Sequence, residues 1–383
     1  MNATSHNPSD EQADLAAIRT TVRRFVTREI LPNIERWEED GSFPRALYQT
    51  AGEVGLLALG FPEAVGGVPS SEMATLVVVE ELARAGSGGL IAGLLSHGIG
   101  LPPILALASD DLAAEIAPAI LRGDKVCALA VTEPGGGSDV ANLRTTATRD
   151  GDDYIVRGSK TFITSGMRAD WLTTAVRTGG DGAAGVSVLA IPGDLPGIQR
   201  SELQKMGWWC SDTAALHFDD VRVPARLRCG SEGMGFLGLM HNFNRERLML
   251  AGMAVAFAEV CHADALEWAR DRQTFGRALI TRQVVRHKLV EMQTRILGAK
   301  ALLHQTARQV DAGGEPVAEV CMVKTLATDT LEFVAGEAVQ ILGGMGYMRG
   351  TRVERIFRET KVLSIGGGAS EILRDLAARQ LGW

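Results

Sequence analysis

The sequence predicts a multidomain protein of mixed α and β type. A helical N-terminal domain (1–125), a middle antiparallel β-barrel or sandwich domain (126–229) and a C-terminal helical bundle (230–383) are expected. Three observations carry this reading. First, 383 residues exceed what one ordinary core organises, so two or three domains are expected. Second, the apolar period is helical in the first third, gives way near Val126 to short β-branched runs, and becomes helical again after Gly230-Ser-Glu-Gly-Met-Gly235. Third, 46% hydrophobic and 22% charged residues describe a compact soluble protein, neither disordered nor fibrous.

Taken in order, Met1 to Asp14 is polar and acidic without an apolar core segment, so it predicts a loose tail and no secretory signal. Ile18, Val22, Phe25, Val26 and Ile30 then recur at helical spacing, and Met73, Leu76, Val77 and Leu82 repeat the pattern. Ala85 to Ser109 holds no Asp, Glu, Lys or Arg and has the length of a membrane span. Its glycines, His97 and Pro102-Pro103 break the apolar run, so a buried core helix is expected and no membrane partner. Cys127–Val131, Tyr154–Val156, Trp171–Val176, Val186–Ile191, Ala214–Phe218 and Val221–Val223 read as strands. Turn residues such as Arg149-Asp-Gly-Asp-Asp153 and Pro192-Gly-Asp194 separate them. Leu248, Met249, Met253, Ala256 and Val260, then Val284, Val285, Leu289, Met292 and Ile296, mark long helices with short connections, which is bundle patterning.

A net charge of -7 opposes nucleic-acid or anionic-membrane partners, whose surfaces attract Lys and Arg. The cysteines, Cys127, Cys210, Cys229, Cys261 and Cys321, are far apart and odd in number with no C-x-x-C spacing. Neither a disulfide framework nor a metal site is expected, and a cytoplasmic location fits best.

No strand-G-x-G-x-x-G-helix unit is present, so a nucleotide cofactor would not be held in Rossmann fashion. Instead Leu129-Ala-Val-Thr-Glu-Pro-Gly-Gly-Gly-Ser-Asp139 leaves a strand and enters a glycine-rich turn flanked by hydroxyls. Small residues there let a ligand approach the backbone, and hydroxyls and N–H groups can bond a polar ring edge. The string Thr132 to Asp139 resembles the acyl-CoA dehydrogenase family, where it borders the flavin and the thioester. Four further stretches resemble the family in its order: Lys160-Thr-Phe-Ile-Thr164; Arg272-Gln-Thr-Phe-Gly276 with Gln283; Gln340-Ile-Leu-Gly-Gly-Met-Gly-Tyr347; and Phe357 to Lys361 with Ile365-Gly-Gly-Gly-Ala-Ser-Glu-Ile372. With the helical, β, helical order matching as well, the resemblance covers about 360 residues.

The resemblance implies the family's three-domain fold with a C-terminal four-helix bundle, non-covalent FAD and a homotetramer. It implies FAD contacts from Leu129, Val131, Thr132, Gly137, Ser138, Phe162, Thr164, Ala369 and Glu371. Arg272, Phe275 and Gln283 would serve a neighbouring subunit's cofactor, and Gln340, Gly343 and Gly344 would bind the cofactor from a loop at a helix terminus, a natural anion site. Ser138, Asn244 and Arg247 would meet the acyl-CoA substrate, with Ile91 and Leu95 lining the acyl chain. Some positions depart from the family's commonest pattern. Phe162 stands where Trp is usual, Asn142 where a small residue is usual, and Gly350 where an acid is usual. Ala369 stands where Thr is usual, which removes a hydroxyl from the flavin.

Many family members place the catalytic base in a segment that here reads Ile365-Gly-Gly-Gly-Ala369, and Gly367 has no side chain to take a proton. A minority, including isovaleryl-CoA and long-chain dehydrogenases, place it on a bundle helix, where this chain reads Asn244-Arg-Glu-Arg-Leu248. The resemblance therefore implies Glu246 as base, the Gly367 N–H and a flavin hydroxyl as donors to the thioester oxygen, and hydride transfer to flavin N5. The product would be the trans-2-enoyl-CoA and the acceptor an electron-transfer flavoprotein. Two alternatives share the fold: an acyl-CoA oxidase, usually a longer chain, and a non-catalytic DNA-binding flavoprotein, which needs a basic face that this acidic chain disfavours.

Overall fold

The computed structural model describes residues 8–383. They form two compact units, each assembled from separated stretches of chain: 36–69 with 89–246, and the residues up to 35 with 70–88 and 247–383.

The first unit is built on an eight-stranded sheet. Its strands are β1 (Cys127–Ala130), β2 (Thr146–Asp150), β3 (Asp153–Thr164), β4 (Trp171–Arg177), β5 (Val186–Pro192), β6 (Ile198–Glu202), β7 (Thr213–Pro224) and β8 (Arg228–Cys229). They run in the order β6-β7-β3-β2-β4-β5-β8, with β1 beside β4. The sheet is mostly antiparallel, as expected, but β1 pairs with β4 in parallel, Cys127 opposite Trp171, and β2 meets β4 in parallel at Thr146 and Arg177. Ala214–Phe218 and Val221–Val223, read as two strands, are the single strand β7. Leu216 and Phe218 are buried before Asp219-Asp220, and Val221 and Val223 after it. An odd-for-even change of face in one strand needs an inserted residue. Asp220 provides it at φ +50, a conformation aspartate tolerates, and the pairing with β3 slips by one residue between Val156 and Gly158.

The uncharged segment is not one helix. It breaks into the helices Gly88–Leu94, His97–Gly100 and Pro102–Leu107, and its two halves meet at 50°. Pro102 begins the last piece, where a missing N–H costs nothing. Glycine is required at two close approaches: a Cβ on Gly93 would stand 2.8 Å from the Phe43 ring, and one on Gly100 would stand 2.8 Å from Cys127 Sγ.

The second unit is helical. Its first helix runs from Pro8 to Phe25, so the tail expected through Asp14 is ordered from Pro8, and residues 1–7 lie outside the described ones. A wider turn follows at Val26–Ile30, marked by Leu31 N–H bonding Val26 O at 2.9 Å. Helix Glu72–Ala83 is capped by Ser71, whose Oγ accepts from Ala74 N, and by the Asp311 carboxylate, which accepts from Glu72 N at 2.6 Å. Buried Glu81 joins the first helix to this one by accepting from Arg19 and Arg23. The bundle follows in Gly235–Asp271, which enters this unit at Arg247, then Gln283–Asp311, Val317–Leu342, Arg352–Ile365 and Ser370–Gln380.

Candidate active site

In the sheet unit the glycine-rich turn follows β1 directly. Glu133 and Gly136 bond each other through both backbone pairs at 3.1 and 3.2 Å, which closes the turn. Gly135 and Gly136 face open space, and a Cβ on Gly137 would meet the Thr132 methyl at 3.5 Å. Thr161 N–H donates to Thr132 O at 2.8 Å, so residue 132 lies against β3 immediately before Phe162. Phe162 adopts φ +60, and the register of β3 on β7 slips between Lys160 and Ile163. The aromatic ring stays 70% exposed on a strand whose neighbours Thr161 and Ile163 are buried. A non-glycine residue at positive φ costs of order 1 kcal/mol or more, so the outward ring is held there by its surroundings. Val131 is buried, Leu129 and Thr164 are partly buried, and Ser138 is exposed. Ile91 is fully buried and Leu95 nearly so.

On the helix Gly235–Asp271, Asn244 and Glu246 are half-buried and Arg247 is buried. Within the helical unit Arg247 Nε donates to Gly367 O at 3.0 Å. Lys324, fully buried in helix Val317–Leu342, donates through Nζ to Gly368 O at 2.9 Å. Two cations thus hold consecutive carbonyls of one turn, in which Gly367 and Gly368 lie at φ +66 and +106. Sequence reasoning missed Lys324, although a lone charge inside Val-Cys-Met-Val-Lys-Thr-Leu-Ala was a visible signal. Ala369 is the N-cap of helix Ser370–Gln380 and offers no side-chain cap; Glu371 is exposed in its first turn.

Arg272 and Phe275 belong to a tight hairpin, Gln273-Thr274 paired with Arg277-Ala278. Its two turn residues, Phe275 at φ +50 and Gly276 at φ +72, both lie in the left-handed region, as the hairpin's twist demands. Glycine fills that role freely, whereas Phe275 is strained into it and stands 97% exposed. Gln283 is exposed at the start of its helix. Gln340 lies in the last turn of Val317–Leu342, and Gly343 caps that helix's C-terminus. The same Gly343 is the N-cap of the short helix Gly344–Tyr347, so the loop joins one helix C-terminus to the next helix N-terminus. Gly343 and Gly344 leave open space beside an exposed Tyr347.

An outward aromatic ring stands beside a hydroxyl-bearing glycine turn on a sheet attached in sequence to a helical bundle. Models of the acyl-CoA dehydrogenase N-terminal, middle and C-terminal domains match residues 12–124, 128–221 and 233–382. The long-chain specific acyl-CoA dehydrogenase of Rattus norvegicus mitochondria is 35% identical over 95% of this chain and 85% of its own. The structure of a putative acyl-CoA dehydrogenase from Mycobacterium smegmatis superposes with TM-score 0.95 at 46% identity, over 97% of this chain and 98% of that one. A glutaryl-CoA dehydrogenase from Mycobacterium smegmatis in complex with FADH2 gives TM-score 0.89 at 25% identity, over 97% and 95%. The chain belongs to the acyl-CoA dehydrogenase family, and it is an FAD-dependent oxidoreductase. The residues fit that cofactor: the Phe162 ring offers an apolar face, and the open Gly135-Gly136 backbone beside Thr132 leaves room for a flat polar edge.

Proposed function

We propose that the protein converts an acyl-CoA thioester to its trans-2-enoyl-CoA with Glu246 as the base. One observation carries the reading. Residue 367 is a glycine at positive φ whose carbonyl is held by Arg247, the residue immediately after Glu246. A chain that keeps the turn but has no carboxylate on it needs its base elsewhere, and the acid adjoining the turn's own anchor is Glu246.

Glu246 takes the proton from Cα. The negative charge that then gathers on the thioester oxygen is met by the Gly367 N–H, whose turn Arg247 and Lys324 hold in place. FAD, when bound, supplies the acceptor for the Cβ hydrogen as hydride. Leu129, Val131, Thr132, Gly137, Ser138, Phe162 and Thr164 would hold the flavin end, with Ala369 and Glu371 near it. Ser138, Asn244 and Arg247 orient the thioester, and Ile91 and Leu95 shape the acyl pocket. Arg272, Phe275 and Gln283 would reach a neighbour's cofactor in a homotetramer, and Gln340, Gly343 and Gly344 would also contact FAD. The exposure of Phe275 and Tyr347, and of Val290 and Leu297 along helix Gln283–Asp311, supports a partner copy covering them. The electron acceptor in this reading is an electron-transfer flavoprotein, and the cytoplasm is its place of action.

Anaerobic addition of short, medium, long and branched acyl-CoAs to the yellow tetramer tests this. At least one class should bleach the flavin, while the free acids should not. Peroxide formed in air at the same rate would move the protein to the oxidases, and a flavin that no thioester bleaches would end the reading.

A further inference from the structure

Under the glycine-rich turn lies a buried ion pair. Lys160 has no exposed surface, and its Nζ stands 2.8 Å from Glu133 Oε1. The same Nζ donates to Val131 O at 3.0 Å. Glu133 accepts two further bonds, from Arg144 N at 2.6 Å and Thr145 N at 2.9 Å. With Thr161 N–H on Thr132 O, residues 131–133 are tied to 160–161 by three bonds as the chain enters the turn. Immediately beyond Lys160 the strand register slips and Phe162 turns outward.

We propose that Glu133 and Lys160 are positioning residues for the flavin: their pair fixes the distance between the Thr132 turn and the Phe162 strand, so that both meet one ring. This rests on the reading above that Thr132 and Phe162 face the flavin. The pairing of β3 with β7 holds at Lys160 and resumes at Ile163, so Thr161 and Phe162 between them are not set by the ladder, and an anchor at Lys160 helps decide where the Phe162 side chain stands. Stability alone does not account for the pair, since apolar residues of similar volume commonly replace a buried ion pair at no cost. Burial pushes the Lys160 ammonium down to about 8, opposed by Glu133 beside it, so the lysine still carries its proton at neutral pH. Burial also works against the Glu133 carboxylate, yet Lys160 and the backbone N–H groups hold it below its ordinary value. Lysine suits the task because a compact ammonium serves one carboxylate and one carbonyl from a single point.

The full-length protein would be stripped of flavin and titrated with FAD. Lys160→Met should weaken FAD binding by about tenfold or more, the scale of a lost charge-assisted hydrogen bond. It should also alter the visible circular dichroism of the flavin that remains bound. The double variant Lys160→Met with Glu133→Gln should recover the apoprotein's melting temperature without recovering FAD affinity or the spectrum. Affinity within about twofold of wild type with an unchanged spectrum would overturn the proposal, as would recovery of both in the double variant. If Lys160→Met does not fold, Glu133→Gln keeps the side-chain shape and the same outcomes decide. Phe162→Ala separates the two claims: lost affinity there with none lost in Lys160→Met overturns only the positioning role. Unchanged affinity in Phe162→Ala would remove the flavin-facing strand and the proposal with it.

Discussion

Moving the base tests the mechanism more sharply than deleting it. Glu246→Gln keeps shape and half-burial but cannot accept a proton. A positioned base contributes ~10²- to 10⁴-fold, or roughly 3 to 5 kcal/mol of barrier, so the rate of flavin bleaching should fall by that factor while flavin content stays. Adding Gly367→Glu to Glu246→Gly should restore part of the loss, because the carboxylate then rises from the turn that Arg247 and Lys324 hold. The structure limits this rescue. Gly367 lies at φ +66, where a side chain costs about 1 to 2 kcal/mol, so the rescued enzyme should melt earlier than Glu246→Gly alone. Rapid anaerobic mixing with the best acyl-CoA, monitored at the flavin band, reads the rates, and calorimetry reads the penalty. Glu246→Gln retaining more than about a tenth of the wild-type rate would refute the base, since no removed base costs so little. Rescue absent with flavin and fold intact would refute the placement of Gly367 at the same carbon.

Ala369 leaves a helix N-terminus without a side-chain acceptor, so Ala369→Thr should stabilise the apoprotein by about 0.5 to 2 kcal/mol, read from denaturant midpoints. A stability gain confined to the FAD-bound form would mean that the hydroxyl serves the cofactor and not the helix. Leu95→Ala should move the chain-length preference toward longer acyl groups, as measured by kcat/KM across the same panel. An unchanged profile would take Leu95 out of the pocket.

The parts of the site that were legible in the sequence are those where function uses contiguous residues. The Thr132–Asp139 turn and the Arg272–Gly276 hairpin carry their glycines next to the groups they present, so pattern and geometry coincide. The proposed exchange of a base between two places can be read from sequence alone because both are short strings, one holding Gly367 and the other Glu246. The Ala85–Ser109 segment was misjudged for the opposite reason. Its composition permits one helix, whereas close approaches such as those of Phe43 to Gly93 and Cys127 to Gly100 explain small residues in it. Likewise β7 was split in two because a change of face at Asp219-Asp220 resembles a loop until the bulge is seen. Lys324 was missed because its partner is a carbonyl 44 residues away, and a carbonyl leaves no mark in a sequence.

That last miss reflects a common device. Lys160 donates to Val131 O, Arg247 to Gly367 O, Lys324 to Gly368 O and Arg355 to Ala85 O, and all four cations are buried. Each accepting carbonyl lies outside the regular helices and strands, as β1 leaves its sheet, in the Gly367 turn, or between two helices. Irregular backbone has no ladder to satisfy it, and a buried carbonyl without a donor costs about 1 to 3 kcal/mol. Small or glycine-rich segments also lack side chains that could fix them from within. A buried cation on a rigid neighbouring element meets both needs, because it supplies the donor and sets the carbonyl's direction. The Val131 and Gly367 turns are thus each held by a buried cation within their own unit.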